Sequence, residues 1–151
     1  MSHTVSIRSM TRGDLPQVLK IETASFTTPF SEQMFLKELE LPMAHLLVAV
    51  PEVDAETILG YIDWWHVSDE IHVVNMAVSE SERRHGVATA LVKTMLKDGK
   101  DLGARFAYLE VRRSSTAAQD MYEKFGFKRY GERKGYYQDN NEDAVLMGLD
   151  L

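Results

Sequence analysis

The segment Arg83-Arg84-His85-Gly86-Val87-Ala88 separates a β-rich run from a long amphipathic stretch. A helix starting there would offer N–H groups without intrahelical partners and a partial positive charge, an arrangement that suits a phosphate. Gly86 lets the backbone approach closely, Ala88 keeps the first turn small, and Arg83 and Arg84 stay charged at any physiological pH. The Gly-Lys-Ser/Thr ending of a Walker loop and the three glycines of a dinucleotide fingerprint are both missing. On these residues alone, an anion cradle and an ordinary solvated basic loop fit equally well. Other chemistry is excluded outright, because a chain without cysteine has no disulfide, no thiolate metal site and no cysteine nucleophile. The acids of Asp139-Asn140-Asn141-Glu142-Asp143 lack the spacing of a calcium loop and read as a hairpin turn. His3, His45 and His66 are read as non-functional, and no metal site is expected.

The periodicity says which elements must position this loop. Val5, Ile7 and Ser9 alternate as a short strand. Thr11-Arg12-Gly13-Asp14 has the form of a capping box ahead of Leu15, Val18, Leu19, Ile21, Glu22 and Phe26 at helical spacing. Thr27-Thr28-Pro29 ends that helix, and Ser31 is placed to cap a second one bearing Phe35, Leu36 and Leu39. His45–Val50, Ile58–Val67 and Ile71–Val78 read as an antiparallel meander. A long helix follows from Val87 to Leu102, then a strand over Phe106–Val111. The next helix carries Ala118, Met121, Tyr122 and Phe125 on one face, with Ser114 or Ser115 as N-cap and Gly126 beyond its C-terminus. A hairpin of Phe127–Tyr137 and Ala144–Leu149 closes the order β-α-α-β-β-β-α-β-α-β-β. Trp64 and Trp65, adjacent on one strand, divide between core and surface.

With 44% hydrophobic, 26% charged and 9% aromatic residues, the chain is a folded one. Its 151 residues, without repeats or a linker, suit one domain spanning 1–151. A net charge of −6 disfavours nucleic acid as the main partner. Met1–Thr11 has no apolar export segment, and the apolar stretch around Leu41–Pro51 is too short and interrupted to span a bilayer. A cytoplasmic protein, monomeric or weakly dimeric and without a membrane partner, is the expectation.

The loop does not stand alone. Arg-x-x-Gly-x-Ala at residues 83–88, preceded by Val74-Asn75-Met76-Ala77-Val78, resembles the pyrophosphate-binding motif of the GNAT superfamily of acetyl-CoA-dependent N-acetyltransferases. Leu109-Glu110-Val111-Arg112, Ser114-Ser115 and Tyr122-Glu123-Lys124-Phe125-Gly126-Phe127 are similar to a second motif of that superfamily. Lys134-Gly135-Tyr136-Tyr137 and Glu142-Asp143-Ala144-Val145-Leu146-Met147 resemble one branch, the N-terminal protein acetyltransferases. That branch comprises bacterial ribosomal-protein alanine acetyltransferases and archaeal and eukaryotic N-alpha-acetyltransferase subunits. Ile71-His72-Val73-Val74 looks closest to the archaeal members, and Ile21-Glu22 through Phe26, with Pro29-Phe30-Ser31, is similar to the family's first interhelical loop. Two departures stand out. Ser115 occupies a position where the family usually has an Asn that touches CoA, and Phe30 stands where Trp is common.

The resemblance implies an α/β (α+β) GNAT fold, a mixed, mostly antiparallel seven-stranded sheet with about four helices, with acetyl-CoA as co-substrate in a V between two splayed strands. It implies that the backbone at Met76, Ala77 and Val78 pairs with the pantetheine, and that Arg83, Arg84, His85, Gly86, Val87, Ala88 and Thr89 hold the pyrophosphate, with Ser115 and Tyr122 also at the cofactor. Glu110 matches the catalytic base, His72 is a second candidate, and Tyr122 matches the acid that protonates the leaving thiolate. Glu22, Phe26, Phe30, Tyr136 and Tyr137 would bind the acceptor. An α-amine, with a pKa of about 7.7–8 against about 10.4 for lysine, is already partly neutral near pH 7 and needs only modest help from a base. The expected acceptors are protein or peptide N-termini, including basic proteins such as ribosomal proteins, which the acidic surface would attract. Two alternatives remain at this point: a GNAT enzyme acting on lysine or a small amine, and a catalytically silent acyl-CoA-binding module.

Overall fold

In a computed structural model that describes residues 4–151, the hydrophobic pattern resolves into seven strands and four α-helices. His3 lies outside the described residues. The order is β1 (Val5–Ser9), α1 (Leu15–Ser25), α2 (Glu32–Glu40), β2 (Ala44–Pro51), β3 (Gly60–Val67), β4 (Glu70–Val78), α3 (Val87–Asp101), β5 (Phe106–Arg112), α4 (Thr116–Lys124), β6 (Lys128–Tyr137) and β7 (Glu142–Asp150). The strands form one sheet in the order β1-β2-β3-β4-β5-β7-β6, antiparallel at every pairing except β4–β5. The expected architecture is the observed one. Boundaries differ in detail. Phe26 is the extended C-cap of α1 and not its last turn, β3 begins at Gly60, and a 3-10 turn over Glu80–Glu82 interrupts the loop before α3.

Local signals explain the element ends. The Asp14 carboxylate accepts from the Thr11 N–H at 2.8 Å and its hydroxyl at 3.1 Å, and takes both Arg8 Nη donors at 2.8 Å. That ties the entrance of α1 to β1. Ser31 caps α2 by accepting from Met34 N–H at 3.2 Å. Period-two alternation then sorts the strand residues. Leu46, Val48, Val50, Tyr61 and Ala77 face α1 and α2, while Leu47, Ala49, Ile62, Trp64 and Ile71 face the other way, into a core shared with Leu91, Val92 and Met95 of α3. Trp64 is buried and Trp65 half-buried, the division expected of them. Among the described residues, no helix is long and apolar enough to cross a membrane.

One buried group has no counterpart in the sequence reading. Asp63 on β3 is 0% exposed, and neither carboxylate oxygen meets a donor. Its neighbour is the Glu38 carboxylate of α2, which accepts the Trp65 indole N–H at 2.7 Å. Burial first, and then Glu38, push the Asp63 pKa far above the carboxylate range, so Asp63 stands as a neutral acid donating to Glu38. The unfolded chain releases that proton near pH 4 and the folded chain keeps it, so stability falls as pH rises from there toward the raised pKa. Asp63→Asn keeps the shape and a donor. Its stability advantage over the parent is expected to widen from about pH 5 to about pH 8, reaching about 1–3 kcal/mol. Calorimetry across that range checks this, and an advantage independent of pH would remove the assignment.

Candidate active site

β4 and β5 are paired at Glu70↔Phe106, Ile71↔Ala107 and His72↔Tyr108 and nowhere beyond. From Val73 to Val78, β4 keeps β3 on one edge and has no strand on the other, while β5 continues against β7. Two features set this divergence. Val74 is an extra residue in β4, between the pairs Asp63↔Asn75 and Trp64↔Val73, and a bulge of this kind bends and twists its strand. At the joined end, α3 packs so closely on β4 that a Cβ on Gly99 would lie 2.1 Å from Ile71 Cδ1. One end of the strand pair is clamped and the other is bent open.

The gap widens into a cavity of about 980 Å³ bounded by β4, β5, the α1–α2 loop, α4 and the β6–β7 turn. Glu110, Tyr122, Ser115, Met76, Glu22, Phe26, Phe30, Tyr136 and Tyr137 all line it. Glu110 alternates with the buried Leu109 and Val111, so its side chain, 32% exposed, points from β5 into the cavity. Its carboxylate accepts the Tyr136 hydroxyl and lies 3.6 Å from Arg133 Nη2. That hydrogen bond, and burial after it, raise the pKa of Tyr136. Tyr122, 4% exposed on α4, has its ring edge-on to Phe127 at 5.4 Å, and burial raises its pKa, so it carries its proton. His72 lines a second cavity instead, which Glu110 and Tyr136 also border, and its Nε2 lies 2.7 Å from Glu70 Oε1.

The basic loop closes the open end of β4. Gly86 is the N-cap of α3 at φ 83°, and no side chain caps this helix. A Cβ at Gly86 would meet nothing within 4 Å, so glycine is required by the left-handed backbone and not by crowding. Arg83 donates from Nε to the Val78 carbonyl at 3.3 Å and from Nη2 to Ser25 Oγ at 3.4 Å, and Arg84 is exposed. Val87, Ala77 and Val78 are buried, and none of the three lines the cavity. Thr89 is exposed, while His85 and Ala88 are half-buried. Ser115 is the N-cap of α4, but its hydroxyl makes no capping hydrogen bond.

Both walls of the cavity are braced by polar side chains, one of them Glu22, expected at the acceptor and serving the wall instead. Glu22, 1% exposed, accepts from Phe30 N–H at 2.9 Å, from Asn75 Nδ2 at 2.7 Å and from the Tyr61 hydroxyl. Its carboxylate is thus fully engaged inside the protein, holding the α1–α2 loop against β3 and β4. Opposite, Arg112 donates to Asp139 at 2.9 and 3.1 Å and to Glu142 and Asn140 at 3.3 Å. Its guanidinium also lies 4.0 Å from the centre of the Tyr137 ring, whose hydroxyl pKa is pushed up to about 12, chiefly by burial. Glu142 accepts the Ser114 N–H at 2.7 Å. Thr27 donates to Asp139, joining the two walls. Arg112 could have been inferred from its period-two relation to Glu110, but its partners, 27 to 30 residues away, could not.

This architecture, a bulged strand diverging from a parallel neighbour toward a glycine-capped helix, defines a class. Residues 15–127 match the Acetyltransferase (GNAT) family. The chain belongs to that family. A Bacillus subtilis (strain 168) protein, provisionally named ribosomal protein bS18-alanine N-acetyltransferase, is 38% identical, covering 100% of this chain and 99% of its own. An N-alpha-acetyltransferase of Saccharolobus solfataricus is 33% identical, over 97% of this chain and 93% of its own. The crystal structure of the ribosomal-protein-S18-alanine N-acetyltransferase from Escherichia coli superposes with a TM-score of 0.87 at 28% identity, covering 97% of this chain and 94% of that one.

Glu22→Ala would strand the Tyr61 hydroxyl and the Asn75 amide in the interior. The expected loss is about 2–4 kcal/mol in urea unfolding. A loss below about 0.5 kcal/mol would show that the wall does not rest on Glu22.

Proposed function

We propose that this chain transfers the acetyl group of acetyl-CoA to the N-terminal α-amine of a protein or peptide by direct attack. The observation that carries the reading is that Glu110 and Tyr122, from different elements, line one cavity at the point where β4 and β5 separate. The free edge of β4 from Met76 to Val78, the uncapped N-terminus of α3 and the charges of Arg83 and Arg84 fit the pantetheine and pyrophosphate of the co-substrate. Acetyl-CoA supplies the activated acyl group. Main-chain N–H groups of the free β4 edge stabilise the charge that develops on its carbonyl oxygen.

Glu110 takes a proton from the acceptor ammonium, directly or through one water, and the neutral amine so formed attacks the thioester carbonyl carbon to make the N–C bond. Tyr122 gives its phenolic proton to the sulfur as the C–S bond breaks, and burial keeps that proton in place until then. No covalent intermediate on the enzyme is needed, which agrees with a chain that has no cysteine. Between the two candidate bases, geometry favours Glu110. It shares a cavity with Tyr122, whereas His72 lines the neighbouring one and faces Glu70. Glu22 acts as a positioning residue for Phe26 and Phe30, while Tyr136 and Tyr137 cover the acceptor from the other side.

In this reading residues 1–151 work as one domain, in the cytoplasm, on N-termini that include those of basic ribosomal proteins. Sequence similarity to proteins named ribosomal protein bS18-alanine N-acetyltransferase and N-alpha-acetyltransferase supports it. Mass spectrometry of peptides with free or blocked N-termini, each with an internal lysine, tests it. Acetyl is expected on the free α-amine, and transfer to lysine alone would overturn the proposal. Glu110→Gln is expected to lower kcat/KM about 100-fold near pH 7 and far less near pH 9, where the amine is already neutral. Equal losses at both would dismiss Glu110 as the base.

A further inference from the structure

The buried residues of α4 are Gln119 and Tyr122. They stand about one turn apart, about 4.5 Å along the axis, and share a face of the helix. The proposed reaction uses Tyr122 and leaves Gln119 without a role. A glutamine that is 2% exposed is costly to bury unless its amide is satisfied. Its Nε2 donates to the Arg112 carbonyl at 2.9 Å and to the Arg113 carbonyl at 3.0 Å. Both amide hydrogens are spent on the last residue of β5 and the one after it.

These bonds fall where α4 lacks its usual fastening. Ser115 is the N-cap residue, and its hydroxyl makes no capping bond. Main-chain bonds close the turn, from Ser115 N–H to the Arg112 carbonyl and from Thr116 N–H to the Ser114 carbonyl, each at 2.9 Å. Further along, Ala118, Met121 and Phe125 pack against the core shared with α3. Apolar packing is non-directional, so it presses the helix onto the core but leaves it free to roll or slide. The two bonds of Gln119 are directional, and they fix how α4 stands against the end of β5.

That rotation matters because, among the described residues, no hydrogen bond holds the Tyr122 hydroxyl. Its ring sits edge-on to Phe127, and burial alone acts on its proton. The phenol is aimed by its helix. Glu110 lies on β5, two residues before Arg112. Gln119 therefore joins the element that carries the base to the element that carries the acid.

We propose that Gln119 is a positioning residue, whose two hydrogen bonds to the end of β5 hold α4 in the rotation that aims the Tyr122 hydroxyl at the reacting sulfur. This rests on the reading that Tyr122 is the acid. Gln119 does not line the cavity, so it acts on the reaction only through Tyr122. A misplacement of about 1 Å at a reacting group can cost about 100-fold in rate. Loss of the Gln119 bonds therefore lowers turnover and leaves cofactor binding in place.

A double-mutant cycle tests it. Gln119→Met keeps the length of the side chain and removes both donors. It is expected to lower kcat about tenfold, with KM for acetyl-CoA within about twofold of the parent. In a Tyr122→Phe background, where no phenolic proton is left to aim, Gln119→Met is expected to cost less than about twofold. Equal factors in both backgrounds would reduce Gln119 to general support of the fold and overturn the proposal. If Gln119→Met does not fold, Gln119→Asn, which keeps the amide and shortens its reach, takes its place in the cycle.

Placement is read independently of activity. In protein labelled with fluorotyrosine, the Tyr122 fluorine resonance is identified by its loss in Tyr122→Phe. It is expected to move or broaden in Gln119→Met, while the resonances of Tyr61 and Tyr130 stay in place. An unmoved Tyr122 resonance would overturn the proposal. If Tyr122→Phe retains the parent's kcat and the resonance moves, the acid assignment falls and Gln119 stands as what places Tyr122.

Discussion

Three residue pairs decide the shape of this protein's working end. Were the β4–β5 ladder to continue beyond His72↔Tyr108, the sheet would be closed and there would be no cavity, no free main-chain edge and no place where Glu110 and Tyr122 face the same space. Parallel pairing is only slightly weaker per residue than antiparallel pairing, so breaking it needs a cause. The cause is steric and local: an extra residue at Val74 bends one strand, while Gly99 lets α3 clamp that strand's other end onto the core. The unpaired edge is a deficit of hydrogen bonds within the protein, which water or another polar chain fills.

The buried polar groups on the α1–α2 side follow from that deficit. A strand bent at Val74 turns Asn75 toward α1, and Glu22 is there to accept from it. Next to Asn75 on β3 sits Asp63, whose neighbour is Glu38. Acids of two helices thus meet the sheet at adjacent points, one fully supplied with donors and the other supplied by a proton. The α3 side of the sheet has a different character, an apolar core of Leu91, Val92 and Met95 that fixes the clamp. The rigid side sets the angle of the V, and the polar side sets what borders it.

Much of this was legible from residue order. The capping box at Thr11–Asp14, the Ser31 cap and the helix stop at Gly126 are local signals, and each formed where the spacing placed it. Face assignment was legible too, because Glu110 between Leu109 and Val111 has only one way to point. What escaped is what lies between distant elements. Nothing in Ile62-Asp63-Trp64 reveals that Asp63 will find another acid, and nothing in Ile21-Glu22 says that its acceptors will be used up by Asn75, 53 residues on. Residue order at Arg83–Ala88 fits a cradle and a solvated turn alike, and it does not reveal that Gly86 takes a positive φ at the head of a helix without a side-chain cap, beside the free strand edge. The acids of the Asp139–Asp143 turn read as mere turn residues, and they proved to be what holds Arg112 under Tyr137.

The contact between Thr27 and Asp139 links a loop after α1 to a turn before β7, and with the sheet beneath it the rim of the cavity becomes an unbroken ring. A ring sorts visitors by topology before chemistry has any say. While that contact is closed, a free end passes under it more readily than the middle of a polypeptide lying across it. Discrimination of a terminus from the middle of a chain can then be a matter of knots and holes, with the side chains lining the ring left to choose among ends.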